Sequence, residues 1–230
     1  MARQLLWLMI EDGVRMGMSI SAKQAQSGSK SMVDALNSTF GDDDLVAEVR
    51  NKTGGNYKHA YVYVETPPAI WRKVAKWLRK NQGVDHCSMI TGIHWPEKEH
   101  HWQIIVHLMR MGVQNPGADP IIVNPSKLTG NQIPLEIEVS MTLPPSREPS
   151  VPSVADIWVG ADWNEKETWD LLGIDFDGHE GMRRVLLPHD TPTGYHPLQK
   201  QHKLRYHDFN EMYDDPQGFD RKPADIGRVK

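Results

Sequence analysis

Ile133-Pro134-Leu135-Glu136-Ile137-Glu138-Val139-Ser140-Met141 is the stretch on which the fold turns. Ile133, Leu135, Ile137, Val139 and Met141 fall on one face, and Glu136, Glu138 and Ser140 on the other. A repeat of two is a strand with one face buried and one wet. Upstream, Cys87–His94 and Trp102–Met109 read as two more strands, joined by a hairpin through Pro96-Glu97-Lys98-Glu99. Val46, Val49 and Tyr61–Val64 read as strands on either side of a turn at Thr53-Gly54-Gly55-Asn56. Between these pairs lies one clear helix. Thr66 reads as its cap, Pro67-Pro68 are tolerated at its start, and Ile70, Val74, Trp77 and Leu78 recur at helical spacing. Lys73, Lys76, Arg79 and Lys80 form its solvated face. One helix beside a run of strands predicts an α+β fold, a single domain with a mostly antiparallel sheet flanked by helices. Extended N- and C-terminal segments complete the expected architecture.

The flanks read differently. Residues 1–30 are expected to be an extension, docking or mobile, in which Leu5-Leu6-Trp7-Leu8-Met9-Ile10 is an apolar run. Glu11-Asp12 cuts that run short of the apolar core of a signal peptide, an expectation against secretion. Residues 31–150 form the α+β domain, opening with a short helix from Ser31 or Asp34 to Phe40 and containing an inserted loop over Gly112–Asn131. After the stiff Pro144–Pro149 connector, residues 151–188 read as helix, turn and strand. Pro152-Ser153 would start a short helix, with Asp156 completing a capping box and Gly160 interrupting it. Asp162 or Asn164 would cap a second helix over Glu165–Leu172, ended by Gly173. From His189 to Lys230 almost no apolar period survives, which reads as a tail without its own core.

Composition narrows the chemistry. The 230 residues carry 26 Lys+Arg against 30 Asp+Glu, a net charge of −4, which argues against a general nucleic-acid binder. No uncharged apolar run is long enough for a membrane helix. The single cysteine, Cys87, excludes disulfides within the chain and a thiolate-held iron–sulfur cluster, and reads as an inert buried thiol. There is no phosphate-binding loop, dinucleotide fingerprint, His-Glu-x-x-His or nucleophile elbow. The eleven histidines, including His100, His101 and His107 at a hairpin and His196, His202 and His207 in the tail, lack metal-site spacing. A free-standing His-dependent metalloenzyme ranks last among the readings. Glu165, Glu167 and Asp170 read as acids favouring a helix start, with Arg183 and Arg184 placed to pair with them in a fixed polar network.

Ala161–Ile174, continued through Asp177-Gly178-His179 to Arg183-Arg184-Val185-Leu186-Leu187-Pro188, resembles the signature of the 30 kDa (C-type) subunit family of respiratory complex I, proton-pumping NADH:quinone oxidoreductase. Glu165, Lys166, Glu167, Asp170, Leu171, Leu172, His179 and Arg183 fit its pattern without a gap. Lys166 replaces the usual arginine, and Glu180 the usual proline. The family's Gly-x-Pro-Leu-Arg-Lys-Asp ending corresponds to Gly194-Tyr195-His196-Pro197-Leu198-Gln199-Lys200-Gln201. Membrane-bound nickel–iron hydrogenases and dehydrogenases of reduced coenzyme F420 carry similar subunits and form the alternative.

The resemblance implies a structural subunit in the hydrophilic arm of such a complex, with no catalytic, cofactor or metal residues of its own. Iron–sulfur clusters, and a flavin or nickel–iron site, are expected in partner subunits. The implied partners are the large D-type (49 kDa-like) protein and neighbouring iron–sulfur subunits. Membrane contact is expected only through the complex, on the cytoplasmic, matrix or stromal side. The expected interface or signature residues are Glu165, Lys166, Glu167, Asp170, Gly173, His179, Arg183, Arg184, Pro188, His196, Pro197 and Leu198, with the tail along a partner.

Overall fold

The computed structural model describes residues 22–54, 57–95, 101–111 and 133–200. Helix α1 (Ala22–Phe40) leads through a 3-10 turn (Gly41–Asp43) into the antiparallel pair β1 (Val46–Gly54) and β2 (Tyr57–Glu65). Helix α2 (Pro68–Asn81) follows, then strands β3 (His86–Trp95), β4 (His101–Arg110) and β5 (Leu135–Leu143). Strand β6 (Ser150–Pro152), helix α3 (Val159–Leu172) and strand β7 (Asp175–Asp177) close the described elements.

The main sheet has the order β1-β2-β5-β4-β3, and β6 pairs with β7 in a small second sheet. The pairings β1–β2, β3–β4 and β4–β5 are antiparallel, as the sequence leads one to expect. The join between the halves, β2 with β5, is parallel, so the fold is α+β with a mixed sheet. The alternation in β5 is realised: Leu135, Ile137, Val139, Met141 and Leu143 are buried together with Ile104, Val106 and Leu108 of β4 and Val62 and Val64 of β2. The three described helices cover this one face, because α1 lies on β1 and β2, α2 touches β5, and α3 crosses β3. Trp71 of α2 stacks on Trp158 ahead of α3, with centroids 6.5 Å apart, joining two helices over the sheet. Each such large side chain removed from water contributes roughly 1.5–3 kcal/mol.

Three local expectations are corrected. Helix α1 opens at Ala22 rather than Ser31, within a stretch that hydrophobicity alone leaves unmarked. Ala25, Gly28, Ser29, Met32, Leu36 and Phe40 form its buried stripe. A Cβ on Gly28 would meet Ile133 Cγ2 at 3.0 Å, so the stripe is small because β5's entry lies against it. Thr66 does not cap α2: Pro67 stands at the N-cap with no side-chain bond. The Thr66 backbone N–H instead donates to Ser140 O (3.1 Å), fixing the start of the helix beside β5.

The third correction concerns residues 151–172. Ser150–Pro152 is a strand, residues 155–157 are a turn, and one helix runs Val159–Leu172 with Gly160 inside it. Gly160 does not interrupt the helix; it lets the helix approach. A Cβ there would lie 2.8 Å from Cys87 O, and one on Gly92 would lie 2.5 Å from Ile174 Cδ1. Asp156 completes no capping box with Ser153, and its carboxylate instead takes a bidentate pair with Arg72 (2.9 and 2.6 Å). The Gly112–Asn131 loop, the Leu5–Ile10 run and the tail beyond residue 200 lie outside the described residues.

Candidate functional site

The signature acids are not early-turn acids. With α3 starting at Val159, only Asp162 lies in its first turn, and Asp170 sits in its last. There the helix dipole opposes a negative charge, by about 0.3–1 kcal/mol. Asp170 is nevertheless fully buried, held by four donors. Its Oδ1 takes Arg184 Nη1 at 2.7 Å. Its Oδ2 takes the backbone N–H groups of Val185 (3.0 Å), Leu186 (2.9 Å) and Leu187 (2.9 Å). Burial pushes the carboxyl up, but the Leu187 and Leu186 N–H groups and the Arg184 guanidinium outweigh it and hold Asp170 below the ordinary carboxylate range. Hydrogen bonds to a charged group contribute about 1.5–3 kcal/mol each, so this constellation overrides the dipole.

Arg184 carries the network onward. Its Nη2 donates to Pro192 O (3.1 Å) and Tyr195 O (3.2 Å), and its guanidinium lies 5.6 Å from the Trp169 ring centre. The end of α3 is then closed by residues 196–199. His196 Nδ1 donates to Asp170 O (2.9 Å), Leu198 N to Leu171 O (3.0 Å) and Gln199 Nε2 to Leu172 O (2.8 Å). Three carbonyls that a helix C-terminus leaves unpaired are thereby satisfied. Gly173 is required twice over: its φ is +76°, and a Cβ would lie 2.7 Å from His196 Cδ2 and 2.9 Å from Gln199 Nε2.

A second cluster forms at mid-helix. Glu165, fully buried, takes Ser153 Oγ (2.6 Å) and Val154 N (2.8 Å), tying α3 to the residues that follow β6. Burial raises its pKa, and those two hydrogen bonds offset the rise only in part. His179 Nδ1 accepts Gly181 N–H (3.1 Å), which leaves Nε2 as the donor facing Asp162 Oδ1 at 3.2 Å and Glu165 Oε2 at 4.0 Å. Lys166 Nζ grips Asp162 (2.7 and 2.8 Å), and this pairing holds Asp162 below the ordinary carboxylate range.

The expected network is thus brought together only in part. Asp170 pairs with Arg184, but Arg183 points outward and reaches Asp162 only through its field. Glu167 accepts the Trp163 indole N–H at 2.5 Å on an exposed face. Pro188 is exposed and its carbonyl turns back to Thr191 N (3.1 Å), while Pro197 is half-buried. The reading of the sequence missed Ser153, Trp169 and Gln199 as network members, and also Thr168, which donates to Ile90 O (2.9 Å). Gln199 carried the one usable signal, since it stands where the signature ending has arginine.

Within the segment expected to form a tail from His189, residues 196, 198 and 199 bond to the end of this chain's α3, and residues 201–230 lie outside the described residues. Around them Leu186, Tyr195 and Leu198 remain exposed, as do Val159 and Trp163 on the helix itself. Cys87 is buried, and burial pushes its thiol up to about 12. Among the described residues no group of three or more His, Cys, Asp or Glu is placed to hold a metal, and no helix is long and apolar enough to cross a membrane.

Residues 64–208 match the model of a family described as "Respiratory-chain NADH dehydrogenase, 30 Kd subunit", more than half of the chain. The chain belongs to this family. The NADH-quinone oxidoreductase C subunit of Chloroherpeton thalassium is 31% identical over 147 residues, 62% of this chain and 51% of the relative. The corresponding C subunit of Agrobacterium fabrum is 29% identical over 178 residues, covering 74% of this chain and 73% of that protein. The NADH-quinone oxidoreductase C/D subunit of Gluconacetobacter diazotrophicus is 54% identical over 61 residues, 26% of this chain and 10% of that protein. The match to the Chloroherpeton protein thus spans about half of that relative's length. A chain of an archaeal respiratory membrane complex, the membrane-bound sulfane sulfur reductase, shares the fold at a TM-score of 0.52 and 16% identity, over 86% of this chain and 98% of that one.

Proposed function

We propose that this 30 kDa family member is a non-catalytic structural subunit of the hydrophilic arm of a complex I-like NADH:quinone oxidoreductase. It braces the cluster- and quinone-site-bearing subunits and binds no cofactor of its own, the iron–sulfur clusters and flavin residing in its partners. The observation that carries this reading is the saturation of Asp170. Its four donors lock residues 184–187 against α3 and leave Leu186 exposed beside Tyr195 and Leu198. A fully buried carboxylate spent on loop geometry, next to outward apolar side chains, suits a brace better than a reaction centre. In this role the signature residues from Glu165 to Leu198 shape a docking face, and residues beyond it extend along a partner. The relative whose name joins C and D in one chain supports a D-type protein as the immediate neighbour. The chain then sits peripheral to the membrane, on its cytoplasmic, matrix or stromal side, through the complex.

The test is a double charge insertion, Leu186→Asp with Leu198→Asp, in the tagged full chain. Both side chains are about half exposed (51% and 50%), so thermal stability should stay near that of the parent. Co-purification of partner subunits should be lost. Undiminished assembly would remove this face from the interface.

A further inference from the structure

The two edges of the main sheet are treated differently. At the β3 edge the register shifts between Cys87 and Met89, Thr168 Oγ1 of α3 donates to Ile90 O, and Gly160 brings α3 against Cys87 O. A bulge and a covering helix are two ordinary ways of closing an edge. Strand β1, the opposite edge, spans nine residues and pairs with β2 without a register shift from Val46 to Gly54. It contains no proline.

Asn37 of α1 shows which way the backbone of β1 points. Ala47 N–H donates to Asn37 Oδ1 (3.0 Å) and Ala47 O accepts from Asn37 Nδ2 (3.1 Å). Ala47 therefore directs its backbone groups away from β2. By the strand period of two, Val49, Asn51 and Thr53 do the same, while Glu48, Arg50 and Lys52 bond to β2. Asn37 covers one residue of this edge, and among the described residues nothing pairs with the backbone of Val49, Asn51 or Thr53. An array of alternating N–H and C=O groups at strand spacing has one complement, another extended chain.

The side chains add charge to that demand. Glu48, Arg50 and Lys52 point to the sheet face that no described helix covers, and together they carry one net positive charge. Arg50 lies over the Tyr63 ring (3.3 Å) and pairs with Glu48 (2.5 Å), and Lys52 pairs with Glu136 (2.9 Å), so both cations are fixed at the edge. Cross-strand neighbours of opposite charge are favoured over like-charged ones.

Resting on the reading of the chain as a subunit of an assembly, we propose that the Val49–Thr53 edge of β1 takes up an extended segment of another subunit, with acidic side chains on the Arg50 and Lys52 face. Hydrogen exchange resolved at single amides, on the free chain and on the purified complex, tests this. In the free chain the Val49 and Asn51 amides exchange quickly while those of Arg50 and Lys52 are protected. In the complex, Val49 and Asn51 should slow at least tenfold. A complex that assembles with both amides still fast overturns this inference while leaving the subunit role intact; failure to isolate any complex overturns both. Protection already present in the free monomer would assign the edge to this chain's own residues, and concentration-dependent protection would assign it to a second copy. Either result overturns the proposal. A Val49→Pro/Asn51→Pro variant removes only outward N–H groups and should keep the β1–β2 ladder. It should fold and co-purify partners at least tenfold less. Arg50→Glu/Lys52→Glu should weaken assembly likewise, and a Glu48→Lys variant should not; the opposite ranking refutes the acidic partner.

Discussion

Replacing Asp170 by Asn keeps the size and most of the shape of the side chain while removing its charge. The remaining carbonyl oxygen can still accept from the backbone of residues 185–187, where three N–H groups converge on Oδ2. The new amide nitrogen then faces Arg184 Nη1, which sits 2.7 Å from Oδ1, so two donors confront each other. Turning the amide over moves the conflict to the three backbone donors. Arg184, whose side chain is 9% exposed, is left without its anion in either orientation. Removing one member of a buried pair costs about 3–5 kcal/mol. At roughly 2–4 °C per kcal/mol for a chain of this size, the melting temperature should fall by about 6–20 °C. Urea unfolding followed by tryptophan fluorescence measures the loss. Glu167→Gln, at an exposed contact with Trp163, is the control and should stay within about 0.5 kcal/mol of the parent. A loss below about 1 kcal/mol for Asp170→Asn would refute the claim that this carboxylate organises the 184–187 segment.

Gly173→Ala combines a positive φ with a Cβ placed against His196 and Gln199, and should cost roughly 2–4 kcal/mol in the same assay; a near-neutral result would mean that residues 196–199 do not close the helix. Two acids should shape the pH profile of stability in opposite senses. Asp170 is held low in the fold, so its contribution is complete above about pH 3.9 and is lost as pH falls through its folded-state value. Glu165 is raised, so stability declines as pH climbs from about 4.3 through its folded-state value. Urea titrations across the acid range up to neutrality should show Asp170→Asn flattening the acid limb and Glu165→Gln flattening the segment above it; unchanged slopes contradict the assignment. The Cys87 thiol, buried and pushed up to about 12, should resist iodoacetamide in the native chain and react on unfolding, and rapid native labelling would place it at the surface.

The sheet was legible because period-two patterning has one reading when one face is buried, and β5 shows it without interruption. Long-range pairing was not: nothing in the local pattern of Tyr61–Val64 or Ile133–Met141 says that these strands run side by side and parallel. Helix α1 was misjudged at its start because Gly28 and Ser29 are buried for their small size, a property that hydrophobicity does not register. The split of α3 into two helices came from reading Gly160 by its propensity, when its role is to let the helix touch Cys87 O. In the network, the signature residues were visible, but the logic of Asp170 was not. A helix-start role follows only if the helix starts near residue 164, and moving that start to Val159 places Asp170 at the opposite end. Its partners at 185–187 are backbone N–H groups, which carry no sequence signal at all.

The most direct test of the structural-subunit account is affinity purification of the tagged full chain from its native membranes, with mass spectrometry and a visible spectrum. The account predicts co-purification of the other subunits of an NADH:quinone oxidoreductase, with flavin and iron–sulfur absorbance that leaves with those partners and not with this chain. A chain recovered alone, carrying its own prosthetic group and turning over a substrate, would contradict it.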